Sequence, residues 1–354
     1  MDINDLMSIT IEQQASDLHL TVGIPPTIRL HGQLVHMDLP PLRNEDTFEL
    51  IGQLLEGRPV LAEKFRENGE VDFSYMANGI GRFRVNIFKQ RGSWAAALRA
   101  ISVGIPTMDE LGLPKHIFQK LCDHTRGLIL VTGPTGSGKS TTLATMIDYI
   151  NQSRREHILT LEDPIEYLHR HRGCIVNQRE IGFDTKSYAN ALRAALREDP
   201  DVVLVGEMRD QETIGIAITA AETGHLVLST LHTIGAAETI DRIIDVFPPH
   251  QQQQIRVQLA NVIRGVISQQ LLPRSDKKGR CVALEIMLGT AAISNLVREG
   301  KTHQIYSQIQ TGTTMGMVAM DASIVKHYRE GRISLETAEH FAQQKDEFKR
   351  LLGR

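Results

Sequence analysis

The segment Gly133-Pro134-Thr135-Gly136-Ser137-Gly138-Lys139-Ser140-Thr141 constrains the fold of this 354-residue chain more than any other. It fits the pattern Gly-x-x-x-x-Gly-Lys-Ser/Thr. It lies between an apolar run, residues 127–132, and a stretch with Leu143, Met146, Ile147 and Ile150 at helical spacing. A strand that turns into a helix through glycines lines up backbone N–H groups at the positive end of the helix dipole, which suits a phosphate. Lys139 then reaches the outer phosphates, the Ser140 hydroxyl can ligate Mg²⁺, and Gly133, Thr135, Gly136, Ser137, Gly138 and Thr141 complete the cradle. Further apolar runs at 157–161, 202–205 and 226–231 alternate with helical stretches. One of these carries Tyr188, Ala191, Leu192, Ala195 and Leu196 on a single face. Strands alternating with helices predict an α/β fold with a parallel sheet.

Two acidic segments follow apolar runs of this kind. Residues 200–207 end a buried-strand pattern at Glu207, the place where a phosphate-loop protein holds the water shell of its metal. Aspartate is the usual residue there. Leu161-Glu162-Asp163-Pro164-Ile165-Glu166 sets three carboxylates after another run, and ligands bind at the strand ends of open α/β sheets. One of these acids is a candidate to orient or deprotonate an attacking water, although Asp-Pro alone equally marks an acidic turn. His225 and His232 bracket the run 226–231, so His232 emerges at a strand end. Two histidines without cysteine partners do not form a metal site.

The first hundred residues read differently, as short strands with turns. Strands are expected at 27–31, 71–76, from Arg82 onward and at 93–101, with a helical stretch over 46–65. Phe83, Val85 and Ile87 share one strand face, while Arg82, Arg84 and Asn86 share the other. Such arginines are by default a solvated face, although a γ-phosphate sensor must be a permanently charged fork of this type. Gly104-Ile105-Pro106 and Leu113-Pro114 suit a linker. The expected organisation is a small α+β domain over 1–104, an α/β domain over 105–354, and a more polar helical extension of the latter over 290–354.

Composition excludes other classes. A net charge of −3, 5% aromatic residues and one tryptophan supply neither the basic stripe nor the stacking platforms of a nucleic-acid translocase. No apolar run approaches the ~20 residues that span a bilayer. The acidic start Met1-Asp2-Ile3-Asn4-Asp5 does not read as a secretory signal. Cys122, Cys174 and Cys281 form neither a disulfide framework nor a metal pair, so a reducing, cytoplasmic setting is expected.

Four ordered motifs together resemble the secretion-type ATPases, most closely the retraction ATPases of type IV pili, over essentially the whole chain. They are the phosphate loop, the acidic box Glu162-Asp163-Pro164-Ile165-Glu166, the Walker B segment Gly206-Glu207-Met208-Arg209-Asp210, and Thr223-Gly224-His225 through Ser229-Thr230-Leu231-His232-Thr233. Ala15-Ser16-Asp17-Leu18-His19-Leu20 near the start belongs to the same pattern. The resemblance implies a PAS-like first domain, a RecA-like ATPase domain, and a homo-hexameric ring with ATP between the two domains. It also implies Lys139 and Ser140 on the phosphates and Mg²⁺, with Glu207 supporting the metal. Glu166 is the preferred water-orienting base, Glu162 the other candidate, and His232 the γ-phosphate sensor. Arg82 and Arg84 match the family's first-domain arginines.

An inner-membrane pilus platform protein is the implied partner, at the cytoplasmic face of that membrane. The family's C-terminal motif Ala-Ile-Arg-Asn-Leu-Ile-Arg-Glu here reads Ala292-Ile293-Ser294-Asn295-Leu296-Val297-Arg298-Glu299. The change at Ser294 leaves the ATPase residues untouched and admits a second reading, an accessory motor working beside a paralogous retraction ATPase. Pilus-extension and type II secretion ATPases carry a tetracysteine zinc element after Walker B, where this chain has Cys281 alone. A nucleotide-bound scaffold without turnover is disfavoured by the intact Lys139, Ser140, Glu166 and Glu207.

Overall fold

The computed structural model describes residues 2–30, 32–101, 104–276 and 279–353. By its contacts the chain divides into two units, Met1–Gly104 and Ile105–Arg354. The first comprises α1 (Ile3–Glu12), β1 (Asp17–Leu20), β2 (Thr27–Leu30), β3 (Gln33–His36), α2 (Asn44–Leu55), α3 (Pro59–Asn68), β4 (Glu70–Ala77), β5 (Gly81–Gln90) and β6 (Ser93–Ile101). Its strands form one sheet in the order β3-β2-β1-β6-β5-β4, every neighbouring pair antiparallel. His31, the last residue of an expected strand, lies outside the described residues.

On β5 the alternation is realised. Phe83, Val85 and Ile87 are fully buried, while Arg82 is half-buried and Arg84 exposed. The expected helical stretch over 46–65 is two helices rather than one. Gly57 takes φ +72°, which ends α2, and Pro59 opens α3 in the first turn, where its missing N–H costs nothing.

The second unit comprises α4 (Lys115–Cys122), β7 (Gly127–Thr132), α5 (Lys139–Ser153), β8 (His157–Glu162), β9 (Ile175–Glu180), α6 (Tyr188–Ala195), β10 (Val202–Val205), α7 (Gln211–Glu222), β11 (Leu226–Leu231), α8 (Ala236–Asp245) and α9 (Pro249–Val262). These are followed by β12 (Ile263–Pro273), β13 (Arg280–Leu288), α10 (Ala291–Arg298), α11 (Ile305–Thr311), α12 (Met320–Arg329), α13 (Leu335–Phe341) and α14 (Lys345–Leu352). The sheet order is β13-β12-β7-β11-β10-β8-β9, parallel throughout except for the antiparallel pair β12–β13. Strands β7, β10 and β11 are buried at every position, as both-face cover requires.

Further features differ from the sequence expectations. The hairpin β12–β13 and strand β9 were not anticipated. Residues 105–114, read as a linker, send Met108 and Leu113 into the core of the second unit. Helices α10 to α14 follow residue 290, and Ile293, Val297, Ile305 and Ile309 of the first two join the core of the second unit. Met320, Ile324, Val325, Ala338 and Phe348 pack on Leu272, Cys281 and Ala283 of the hairpin as a separate small core. All three cysteines are free and buried, and no helix among the described residues is long and apolar enough to cross a membrane.

The hairpin is packed backbone to backbone. A Cβ on Gly289 would lie 2.1 Å from the Ile263 carbonyl oxygen and 2.9 Å from its carbon. Gly289→Ala should therefore destabilise the protein by about 1–3 kcal/mol. In thermal unfolding that corresponds to a drop of roughly 2–10 °C. An unchanged Tm would refute the close packing.

Candidate functional site

The four motifs meet because the strands that deliver them are neighbours. The phosphate loop follows β7, His232 follows β11, Glu207 lies just beyond β10 and Glu162 ends β8, and these strands are consecutive in the sheet. All four run parallel, so all four carboxyl ends face the same crevice, where open α/β sheets bind ligands.

The phosphate loop has the backbone its glycines allow. Gly136 and Gly138 sit at φ +78° and +87°, a left-handed conformation that L side chains rarely adopt, and α5 starts at Lys139 immediately afterwards. Gly133 has no room for a side chain, since a Cβ would come within 2.3 Å of the Gln269 carbonyl oxygen. Gln269, fully buried on β12, braces the loop from below. Its Nε2 donates to the Ser137 carbonyl at 2.6 Å, and its Oε1 accepts from the Thr142 hydroxyl at 3.0 Å. Thr141 Oγ1 is 2.9 Å from the Tyr167 hydroxyl, which ties the acidic box to α5. The Ser137 hydroxyl is buried without a hydrogen-bond partner. A buried polar group of that kind, beside glycine-shaped N–H donors, fits a phosphate-bearing ligand.

Lys139 is buried, and its ammonium donates to the carbonyls of Gly133 at 2.8 Å and Pro134 at 3.1 Å. Burial pushes its pKa down, while Glu207 and Glu166 oppose that shift. His232 bridges the loop to the acid. Its Nδ1 is 3.5 Å from Lys139 Nζ and its Nε2 is 3.0 Å from Glu207 Oε1. The other Glu207 oxygen meets Arg209 at 2.7 Å. Burial raises the Glu207 carboxyl, but Arg209 and His232 outweigh it and hold the group below its ordinary value, so Glu207 is a carboxylate at neutral pH.

The two candidate bases differ in their surroundings. Glu162 accepts hydrogen bonds at one oxygen from Thr160 at 2.6 Å and Gln178 at 3.1 Å, and burial lifts its pKa above the usual range despite them. The Glu166 backbone N–H also acts on the Glu162 carboxyl. The Glu166 side chain is exposed and close enough to influence Lys139. Ser140 is exposed at the start of α5. Arg82 and Arg84 lie on β5 of the first unit, where Arg84 stands opposite Arg99, itself paired with Asp17 at 2.9 Å. The site residues that sequence reasoning missed are Arg209, Gln269 and Tyr167. Arg209 lay inside a quoted motif, whereas no local signal marks Gln269, which meets Ser137 across 132 positions.

A family model described as type II/IV secretion system protein matches residues 1–350. The chain belongs to this family. Among secretion-system relatives, the type IV pilus retractation ATPase PilT of Pseudomonas aeruginosa is 49% identical over 348 residues, 98% of this chain and 100% of the relative. The type IV pilus ATPase PilU of the same organism is 40% identical over 338 residues, 96% of this chain and 88% of the relative. A crystal structure of the pilus retraction motor PilT with bound ADP superposes with a TM-score of 0.93 at 50% identity, covering 99% of each chain. The expected two-part α/β fold of the secretion-type ATPases is therefore present in this chain.

The exposure of Glu166, against the engaged carboxyl of Glu162, gives a direct test. Glu166→Gln should bind nucleotide normally and lose about 10² or more in ATP turnover. Glu162→Gln, whose carboxyl is already engaged by Thr160 and Gln178, should lose less. Steady-state phosphate release decides between them, and the reverse order would make Glu162 the base.

Proposed function

We propose that this chain is a motor ATPase of type IV pilus retraction, hydrolysing ATP to ADP and phosphate to drive pilin disassembly and twitching motility. One observation carries the reading. A phosphate loop is joined through His232 to Glu207 in a chain that matches, over 99% of its length, a retraction motor with bound ADP. In this reading the division near residue 104 separates an N-terminal domain from the ATPase domain, with residues 290–354 as the latter's helical extension.

The loop N–H groups and Lys139 hold the phosphates; Ser140 would ligate Mg²⁺ and Glu207 would order its water shell. A metal held there would supply neutralisation of charge on the transferred phosphate. Glu166 orients the attacking water, and His232, placed between Lys139 and Glu207, senses the γ-phosphate. The protein works as a homo-hexamer at the cytoplasmic face of the inner membrane, on the pilus platform protein. Deleting its gene should leave long pili and no twitching. Normal retraction in the deletion strain would sink the reading. Ser294, half-buried on α10 where retraction enzymes carry arginine, favours a second reading as an accessory motor. That reading predicts retained but weakened retraction in the same strain.

Arg82 or Arg84 completes the site of a neighbouring subunit, as a guanidinium fork that no other side chain reproduces. Such a finger contributes ~10³–10⁵ in rate. Lys139→Ala subunits and Arg82→Ala/Arg84→Ala subunits should each be nearly inactive alone and regain partial hydrolysis in mixed rings. Mixed rings without recovery would count against action in trans.

A further inference from the structure

The segment that carries His232 is anchored by acceptors far from it in sequence. Helix α8 begins at Ala236, four residues after His232, and its cap residue Gly235 offers no side chain to the first helical N–H groups. The N–H groups of the cap and of the first helical residue are satisfied from the hairpin instead. The Gly235 N–H donates to Ser268 Oγ at 2.9 Å, and the Ala236 N–H donates to Glu285 Oε1 at 2.8 Å. Ser268 and Glu285 are directly opposed across β12 and β13, so the hairpin presents a matched pair of acceptors. Both side chains are buried, Glu285 at 2% exposure; burial raises its carboxyl to about 7, a shift that the Ala236 and Met320 backbone N–H groups oppose. The next residue of β12 is Gln269, whose side chain points to the opposite face and braces the phosphate loop.

The same stretch of β13 holds the C-terminal helices. β13 is the edge strand, and its outer groups pair with the entry to α12. Ile286 exchanges backbone hydrogen bonds with Val318 at 2.8 and 3.1 Å, and the Leu284 N–H donates to the Ser323 hydroxyl at 3.1 Å. Helix α12 likewise has no side-chain cap at Ala319. Within that helix, buried Asp321 accepts the backbone N–H groups of Gln343 and Gln344, each at 2.8 Å, fixing the connection between α13 and α14. Glu285 therefore sits between the histidine segment and the root of the C-terminal extension, its carboxyl accepting from the Ala236 N–H of the first and from the Met320 backbone N–H that opens α12 in the second.

We propose that Glu285 is a positioning residue. It fixes segment 232–236, and with it His232, against the strand that roots the C-terminal helices, so that the site geometry and the seating of those helices are set together. The proposal rests on the ATPase reading and extends it to a residue that does not touch the nucleotide. Displacing a positioned group by about 1 Å can cost ~10² in rate. The phosphate loop is held separately, by Gln269, so nucleotide affinity should be spared.

The test compares Glu285→Leu, which fills similar space and cannot accept a hydrogen bond, with Glu285→Gln, which keeps an acceptor oxygen, in the full chain. In Glu285→Leu, kcat should fall about 10- to 100-fold while KM for ATP stays within about threefold, whereas Glu285→Gln should retain most of the activity. Hydrogen exchange at the amides of Ala236 and Val318 should rise together in Glu285→Leu. Full kcat in the Leu variant, a Gln variant as slow as the Leu variant, or exchange that rises at Ala236 alone would each overturn the proposal. Should Glu285→Leu fail to fold, Ser268→Ala removes the neighbouring acceptor and should lower kcat in the same way, to a smaller degree. An unchanged kcat there would also overturn it. Failure of the ATPase reading looks different: the unaltered chain would show no turnover, and the exchange of the two amides would still report the joint.

Discussion

The parallel pairing of β7, β11, β10 and β8 is the constraint on which everything else in the second unit depends. Parallel strands send all their carboxyl ends to one edge of the sheet, and each of these four ends at, or just before, a residue with chemistry. An antiparallel partner inserted among them would send one motif to the far side. The apolar, fully buried strands are what the interior of such a sheet demands, and their burial holds the strand ends in register.

Within that frame four polar side chains are arranged in a line. Lys139, His232, Glu207 and Arg209 follow one another at 3.5, 3.0 and 2.7 Å. A buried ammonium is costly unless compensated, and here two loop carbonyls and two acids compensate it. The loop that carries it is held by glycine geometry and by one buried amide, Gln269. A buried side chain with both ends satisfied adds rigidity where a flexible loop would have to be ordered by its ligand.

Much of this was legible in the chain itself. The phosphate loop declared its strand and helix through local pattern, because glycine conformational freedom and apolar periodicity act over a few residues. The same holds for the alternating face of β5, where Phe83, Val85 and Ile87 point inward and Arg82 and Arg84 do not. Local pattern failed in two ways. The helix expected over 46–65 is divided by Gly57 and Pro59, a local turn signal that the helical spacing masked, whereas Met108 and Leu113 leave an apparent linker for the core because burial outweighs the turn signals around them.

The sequence alone determined the chemistry available, namely a phosphate cradle, a lysine, strand-end acids and a histidine, since each is encoded by residue type at short spacing. Only the tertiary structure decided which of these groups touch. His232 meets Lys139 across 93 positions and Gln269 meets Ser137 across 132, separations over which no local pattern carries information. The strand order brings them together, and strand order arises from the global burial of apolar faces, which no single segment of the chain encodes.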